Sequence, residues 1–228
     1  MTELAQHSAD YSIVEGEDPE VLSRNLGAAG QLLAGATAFF FLAFLFAYFY
    51  LRALDNAGLW KPKHVDTSVA WGTVVTACIV ASAVLVQLGK IDQSADRRPA
   101  WRFKGLLAFA LGFAALGLQA AAWTQQSFGP TDGGFASVYF GWTAFLWLFV
   151  LGTMFWLETA LATSFRYRNE PIGAARVPAG HASGDPDRAA HDIANPVDLN
   201  RAELSALSFY WTFLAGIAVL TWIILYLL

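Results

Sequence analysis

The sequence has little charge and one cysteine. Only 14% of its 228 residues are charged and 56% are hydrophobic, whereas soluble domains average about 25% charged and about 45–50% apolar residues. Cys78 is the only cysteine, which excludes an intrachain disulfide and a cysteine-based metal site. A formal net charge of -4 argues against a nucleic-acid partner. The composition therefore indicates a protein that is partly solvated by lipid.

The N-terminal region lacks the features of a secretory signal. Residues 1–26 carry several acidic side chains and a single basic one, Arg24. A signal peptide would begin with a basic segment followed by an apolar one. We therefore expect residues 1–26 to form a polar, acidic tail on the cytoplasmic side of a membrane.

Five segments of the sequence are apolar and long enough to cross a bilayer. About 20 mostly apolar residues are needed to span roughly 30 Å of hydrocarbon as a helix, and the runs are too long and too uniform for barrel strands. The predicted fold is an all-α integral membrane bundle of five transmembrane helices. Residues 27–165 contain the first four helices, and residues 204–228 contain the fifth.

Basic residues predict the orientation of these helices, because Lys and Arg concentrate in cytoplasmic loops. With the N-terminus inside, eleven of the 14 basic residues lie on the cytoplasmic side. We therefore predict an N-in, C-out, multi-pass protein. The long loop at 166–203 is rich in Pro, Gly, Ala and Asp, a composition that cannot bury a core, and it is expected to be flexible and cytoplasmic.

The predicted spans contain very few groups that can carry chemistry. Glu158, near the inner end of the fourth span, is the one ionisable residue there. It is either a proton-relay or lipid-headgroup partner, or an interfacial carboxylate that pairs with Arg102, Lys104 or Arg166. None of the four histidines lies in a span, so no haem or copper ligand is expected within the bilayer. No catalytic, cofactor-binding or metal-ligating residue is predicted.

Four motifs, in order along the chain, resemble those of subunit III of haem-copper cytochrome c oxidases. TAFFFLAFLFAYFYLR, from Thr37 to Arg52, is followed by Trp60 and Pro62 and resembles the family's SExxFFAGxFxxYFxxR with its W-P loop. LQAAAW resembles LQAxEYY, GGFASVYFGWTAF resembles DGxYGSxFFxxTGFHGLH, and SFYWTFLAGIAVLTWIILYLL resembles the YWHFVDxVW helix. The resemblance covers about residues 27–163 and 203–228 and fits the short, five-helix bacterial form.

This resemblance implies a non-catalytic subunit of a respiratory cytochrome c oxidase in the bacterial cytoplasmic membrane. Such a subunit flanks the catalytic subunit I and subunit II, binds phospholipids and supports assembly, while haem and copper are held by the partner subunits. The candidate lipid or subunit contacts are Arg52, Trp60, Glu158, Tyr210 and Trp211. The alternatives are an accessory membrane subunit of a nitric oxide reductase and a small membrane transporter.

The chain departs from the family at its polar intramembrane positions. Where the family has glutamate, histidine or aspartate, this sequence has apolar or neutral residues, namely Thr37, Ala122, Leu146, Phe149, Thr212 and Ala215. The family's proton-linked and specific lipid functions therefore do not transfer to these positions, whereas the aromatic and small-residue frame is retained.

Overall fold

The computed structural model describes residues 19–55, 58–166 and 196–228. Within these ranges the chain forms long helices and no strands: α1 Pro19–Ala53, α2 Val69–Ser94, α3 Arg98–Thr124, α4 Gly134–Arg166 and α5 Pro196–Trp222. One π-helical turn, Ile223–Leu227, continues α5. Each of these five described helices is long and apolar enough to cross a membrane. The predicted all-α membrane bundle is confirmed, and the N-in orientation stays a prediction.

Two helices begin earlier than the hydropathy of the sequence indicates. Helix α1 begins at Pro19, inside the range expected to be tail, and α5 begins at Pro196, inside the range expected to be loop. Hydropathy marks the lipid-embedded part of a helix but not the polar turns beyond it, and proline is well tolerated in a first helical turn. The remainder of the predicted tail, residues 1–18, and of the predicted loop, residues 167–195, lies outside the described residues.

The helices alternate in direction, and polar side chains meet at both ends of the bundle. At one end, the hydroxyl of Tyr139 near the start of α4 lies 3.2 Å from the hydroxyl of Tyr226 at the end of α5. At the other end, Gln93 of α2 donates to Asn200 of α5 at 2.7 Å. We call these the outer end and the inner end, following the predicted orientation.

Large aromatic side chains fill the interior of the bundle. Trp101, Trp142 and Trp211 are fully buried, and so are Tyr48 and Tyr139. Apolar side chains also cover much of the outer surface; Phe39 is 78% exposed and Phe103 is 71% exposed. Such faces are unfavourable in water and favourable in lipid, which fits helices that pack on one side and meet hydrocarbon on the other.

Small residues allow the neighbouring helices α2 and α3 to approach closely. Gly89 of α2 lies directly against the buried indole of Trp101 on α3, and a Cβ added at Gly89 would overlap that ring. Close approach at glycine is a common way for membrane helices to gain packing contacts, because lipid offers no hydrophobic driving force between them. Gly89 therefore lies at a close contact between α2 and α3.

Candidate functional site

The loop between α1 and α2 is fixed to the start of α4 at the outer end. The backbone N–H of Gly134 donates to the carbonyl of Leu59 at 3.2 Å, and that of Phe135 donates to the carbonyl of Trp60 at 2.8 Å. The first N–H groups of a helix have no partner within the helix, so these bonds satisfy them and hold the loop in place. The backbone N–H of Trp60 is held in turn by Asp55 Oδ1 at 3.3 Å.

Three buried aromatic rings form a floor beneath this loop. Trp60 lies edge-on to Tyr48, with ring centroids 5.1 Å apart, and edge-on to Phe135 at 5.8 Å. Edge-to-face pairs at such separations are favourable because the positive edge of one ring meets the negative face of the other. The floor joins α1, the loop and α4 into one rigid unit.

Two cations lie over this floor. The guanidinium of Arg52 is 5.9 Å from the centroid of the Tyr48 ring, and Lys61 Nζ is 4.7 Å from the centroid of the Phe135 ring. Both separations lie within the range of about 6 Å in which a ring face attracts a cation. The rings thus place two positive charges above the same aromatic floor.

A cavity of about 300 Å³ opens between these cations and the end of α5. Its opposite wall comes from the end of the chain and consists of Tyr226 and the leucines Leu225, Leu227 and Leu228. We refer to this space as the outer cavity. It combines positive charge, aromatic rings and aliphatic surface at the end of the helices, a combination typical of a membrane–water interface.

The structure brings two of the predicted contact residues together and separates the others from them. Arg52 and Trp60, which are distant from α5 in sequence, both line the outer cavity. Glu158 lies near the opposite end, in the last third of α4, with an exposed side chain. The grouping of Arg52 with Trp60 depends on the loop bonds to α4, which no sequence pattern indicates.

The expectation that Tyr210 and Trp211 contact lipid or a partner subunit is corrected by their burial. Tyr210 is 2% exposed and Trp211 is 0% exposed, because both face neighbouring helices of the same chain. The Tyr210 hydroxyl lies 3.1 Å from Thr37 Oγ1 on α1. Trp211 Nε1 donates to Ser82 Oγ at 3.1 Å, and Ser82 donates to the Ala108 carbonyl at 2.7 Å. These bonds tie α5 to α1, α2 and α3.

Glu158 has no ion-pair partner among the residues that the structure describes. Of the cations expected to pair with it, Arg102 donates to the Ser164 carbonyl at 2.7 Å, and Lys104 pairs with Asp92. The pairing of Glu158 with Arg102 or Lys104 is therefore not formed. Its carboxylate faces outward near the inner end of α4.

A polar network at the inner end was missed by sequence reasoning. Asp92, with a side chain 5% exposed, pairs with Arg97 at 2.7 Å and with Lys104. Gln93 beside it donates to Asn200, which in turn donates to a backbone carbonyl of α4 at 2.8 Å. Hydropathy places the end of the second span at Lys90, so residues 91–104 look like an ordinary basic loop. Because α2 continues as a helix to Ser94, the side chains of Asp92 and Gln93 face the other helices.

Two of the positions at which the sequence departs from the oxidase subunit III motifs, Thr37 and Thr212, make hydrogen bonds between helices. Thr37 pairs with Tyr210 as described, and Thr212 accepts a hydrogen bond from Gln87 Nε2 at 2.6 Å. Ala215 lines an apolar groove of about 330 Å³ between α2 and α5. Leu146 borders a small internal cavity of about 10 Å³. Thr37 and Thr212 thus help to join α5 to α1 and α2 through hydrogen bonds between neutral side chains.

The described residues contain no group of three or more His, Cys, Asp or Glu side chains placed to hold a metal ion. The arrangement that the structure does present is a set of helix–helix hydrogen bonds in the interior and a cationic, partly apolar cavity at the outer end.

Comparison with known proteins gives a distant similarity. No family model matches the sequence. A stretch of 133 residues is 27% identical to the probable cytochrome c oxidase subunit 3 of Nocardia farcinica. The alignment covers 56% of this chain and 64% of the relative, so it spans less than two thirds of that protein's length. The name of this relative agrees with the resemblance of the ordered sequence motifs to oxidase subunit III.

Proposed function

We propose that this chain is a non-catalytic, subunit III-like component of a respiratory haem-copper oxidase complex in a bacterial cytoplasmic membrane. It flanks the catalytic subunit I and subunit II, binds phospholipids and stabilises the assembly. In this proposal haem and copper belong to the partner subunits.

The observation that carries the proposal is the agreement between an ordered set of family motifs and a distant relative named as oxidase subunit 3. The architecture supports it: the five described apolar helices join through neutral hydrogen bonds such as Thr37–Tyr210 and Trp211–Ser82. Exposed aromatic side chains such as Phe39 leave apolar faces for lipid or for another membrane subunit.

The relative's name favours an oxidase complex over the accessory subunit of a nitric oxide reductase. A small transporter is less well supported, because transporters place discontinuous helices at the bilayer midplane. Helices α1 to α4 run unbroken over the described residues, and the π-helical turn of α5 lies at its outer end.

Removal of the chain from its native membrane tests this role. Membranes that lack it should contain less assembled oxidase and should consume oxygen more slowly; re-expression of the chain should restore both. Unchanged oxidase content and unchanged turnover would contradict the proposal. Loss of nitric oxide consumption with oxygen consumption intact would assign the chain to the alternative complex.

Glu158 provides a separate prediction about proton-linked activity. Because its carboxylate is exposed and unpaired within the described residues, replacing it with glutamine should leave oxygen consumption and proton pumping of the complex nearly unchanged. The measurement is turnover and proton release in reconstituted vesicles. A collapse of proton-coupled activity in Glu158→Gln, with the complex still assembled, would make this residue a proton relay instead.

A further inference from the structure

The outer cavity has the chemistry of an amphiphile-binding site. Its charge comes from Arg52 and Lys61, and its aliphatic wall comes from leucines such as Leu225 and Leu227. A volume of about 300 Å³ is at the lower end of the range of about 300–1,000 Å³ for ligand pockets. A soluble anion would use the cations alone, whereas a lipid would use both the cations and the leucines.

The two cations are held in place but are not neutralised. Within the described residues, the guanidinium of Arg52 makes one hydrogen bond, to the Tyr48 hydroxyl at 3.4 Å, and has no carboxylate within ion-pair distance. Lys61 lies 3.7 Å from Asp66, whose side chain is 88% exposed, and such solvated pairs contribute little. Both cations therefore keep donors available for an anionic ligand.

The position of the cavity favours a lipid over an acidic segment of a partner protein. It lies where α1 and α5 end, and aromatic and cationic side chains at the ends of apolar helices are typical of the headgroup level of a membrane. Arg and Lys are the side chains that bind phosphate, Arg through two parallel hydrogen bonds and Lys as a point charge. The leucine wall beside them would contact the first carbons of an acyl chain.

We propose that the outer cavity binds the phosphate headgroup of an anionic phospholipid, held by Arg52 and Lys61 above the ring floor of Tyr48, Trp60 and Phe135. This inference deepens the lipid-binding part of the proposed function and rests on it. It is tested on the isolated full-length chain, so that its failure leaves the association with an oxidase untouched.

The test measures retained lipid by native mass spectrometry. The full chain, tagged at its N-terminus to leave Leu228 unmodified, is reconstituted with equal amounts of phosphatidylglycerol and phosphatidylcholine and then transferred to mild detergent. We expect preferential retention of one phosphatidylglycerol. Arg52→Gln and Lys61→Gln should each weaken retention about tenfold, as expected for loss of a charged hydrogen-bond partner.

Lys63→Gln is the matched control, because it removes the same charge from the same loop at an exposed residue that does not line the cavity. It should retain phosphatidylglycerol like the unaltered chain, and an excess of inorganic phosphate should not displace the lipid. Equal retention of both lipids, or full retention by the Arg52 and Lys61 variants, would overturn the proposal. Displacement by inorganic phosphate would show a soluble-anion site and would overturn the proposal as well.

Discussion

Replacing Gly89 with alanine should destabilise the bundle by about 1–3 kcal/mol, the usual range for forcing an extra methyl into a packed interior. The added Cβ would overlap the indole of Trp101, which is fully buried. Either α2 and α3 must separate or the indole must leave its position. The free energy of unfolding in mixed detergent micelles, followed by circular dichroism, measures the effect.

Gly117→Ala is the matched control for this experiment. Gly117 lies on α3, and a Cβ added there would meet nothing within 4 Å. Alanine in place of glycine favours a helix by roughly 0.5–1 kcal/mol, a gain that both variants share. The difference between the two variants therefore isolates the contact with Trp101. Equal stability of Gly89→Ala and Gly117→Ala would show that α2 and α3 are not closely packed.

Replacing Asp92 with asparagine should lower the unfolding temperature and the yield of monodisperse protein. The substitution keeps the shape of the side chain but removes the charge that pairs with Arg97 and Lys104. A partly buried ammonium such as that of Lys104 is then left without its counter-ion, and removal of one partner from a buried pair is strongly destabilising. Adding Lys104→Met to this variant should recover part of the loss, because the uncompensated charge is then removed as well.

Asp96→Asn is the control at the same end of the bundle. Asp96 pairs with Arg98 at 3.0 Å, but its side chain is 59% exposed. Asparagine also tolerates the positive φ of 58° at this position. Exposed ion pairs are worth about 0–1 kcal/mol, so this variant should unfold close to the unaltered chain. If both variants lose the same stability, the network around Asp92 does not hold the inner end together.

The helices were predictable from the sequence because lipid imposes a simple rule. Each span must satisfy its own backbone and carry about 20 apolar residues, and that rule locates all of the described helices. It does not locate their ends. Pro19 and Pro196 begin helices within polar sequence, and α2 continues past Lys90 to Ser94. The helical turns outside the hydrocarbon are determined by local sequence and by packing against the rest of the protein, not by the lipid rule.

The candidate site was predictable only in part. Arg52 and Trp60 stand out as a cation and an aromatic ring at the end of a span, but Lys61 and Phe135 join them through the loop's bonds to α4. The motifs alone make Tyr210 and Trp211 candidate lipid or subunit contacts, but both are buried within the chain. The rotation of α5 about its own axis, relative to the other helices, decides which of its faces is buried. The hydropathy of a uniformly apolar helix does not reveal that rotation.

Purification of the intact chain from its native membrane in a mild detergent tests the proposed oxidase association most directly. Larger membrane subunits should co-purify, and the preparation should show haem absorbance and consume oxygen. After dissociation in a harsher detergent, the separated chain should show no haem absorbance. A monodisperse, haem-free monomer as the sole species recovered under the mild conditions would contradict the proposed association with an oxidase.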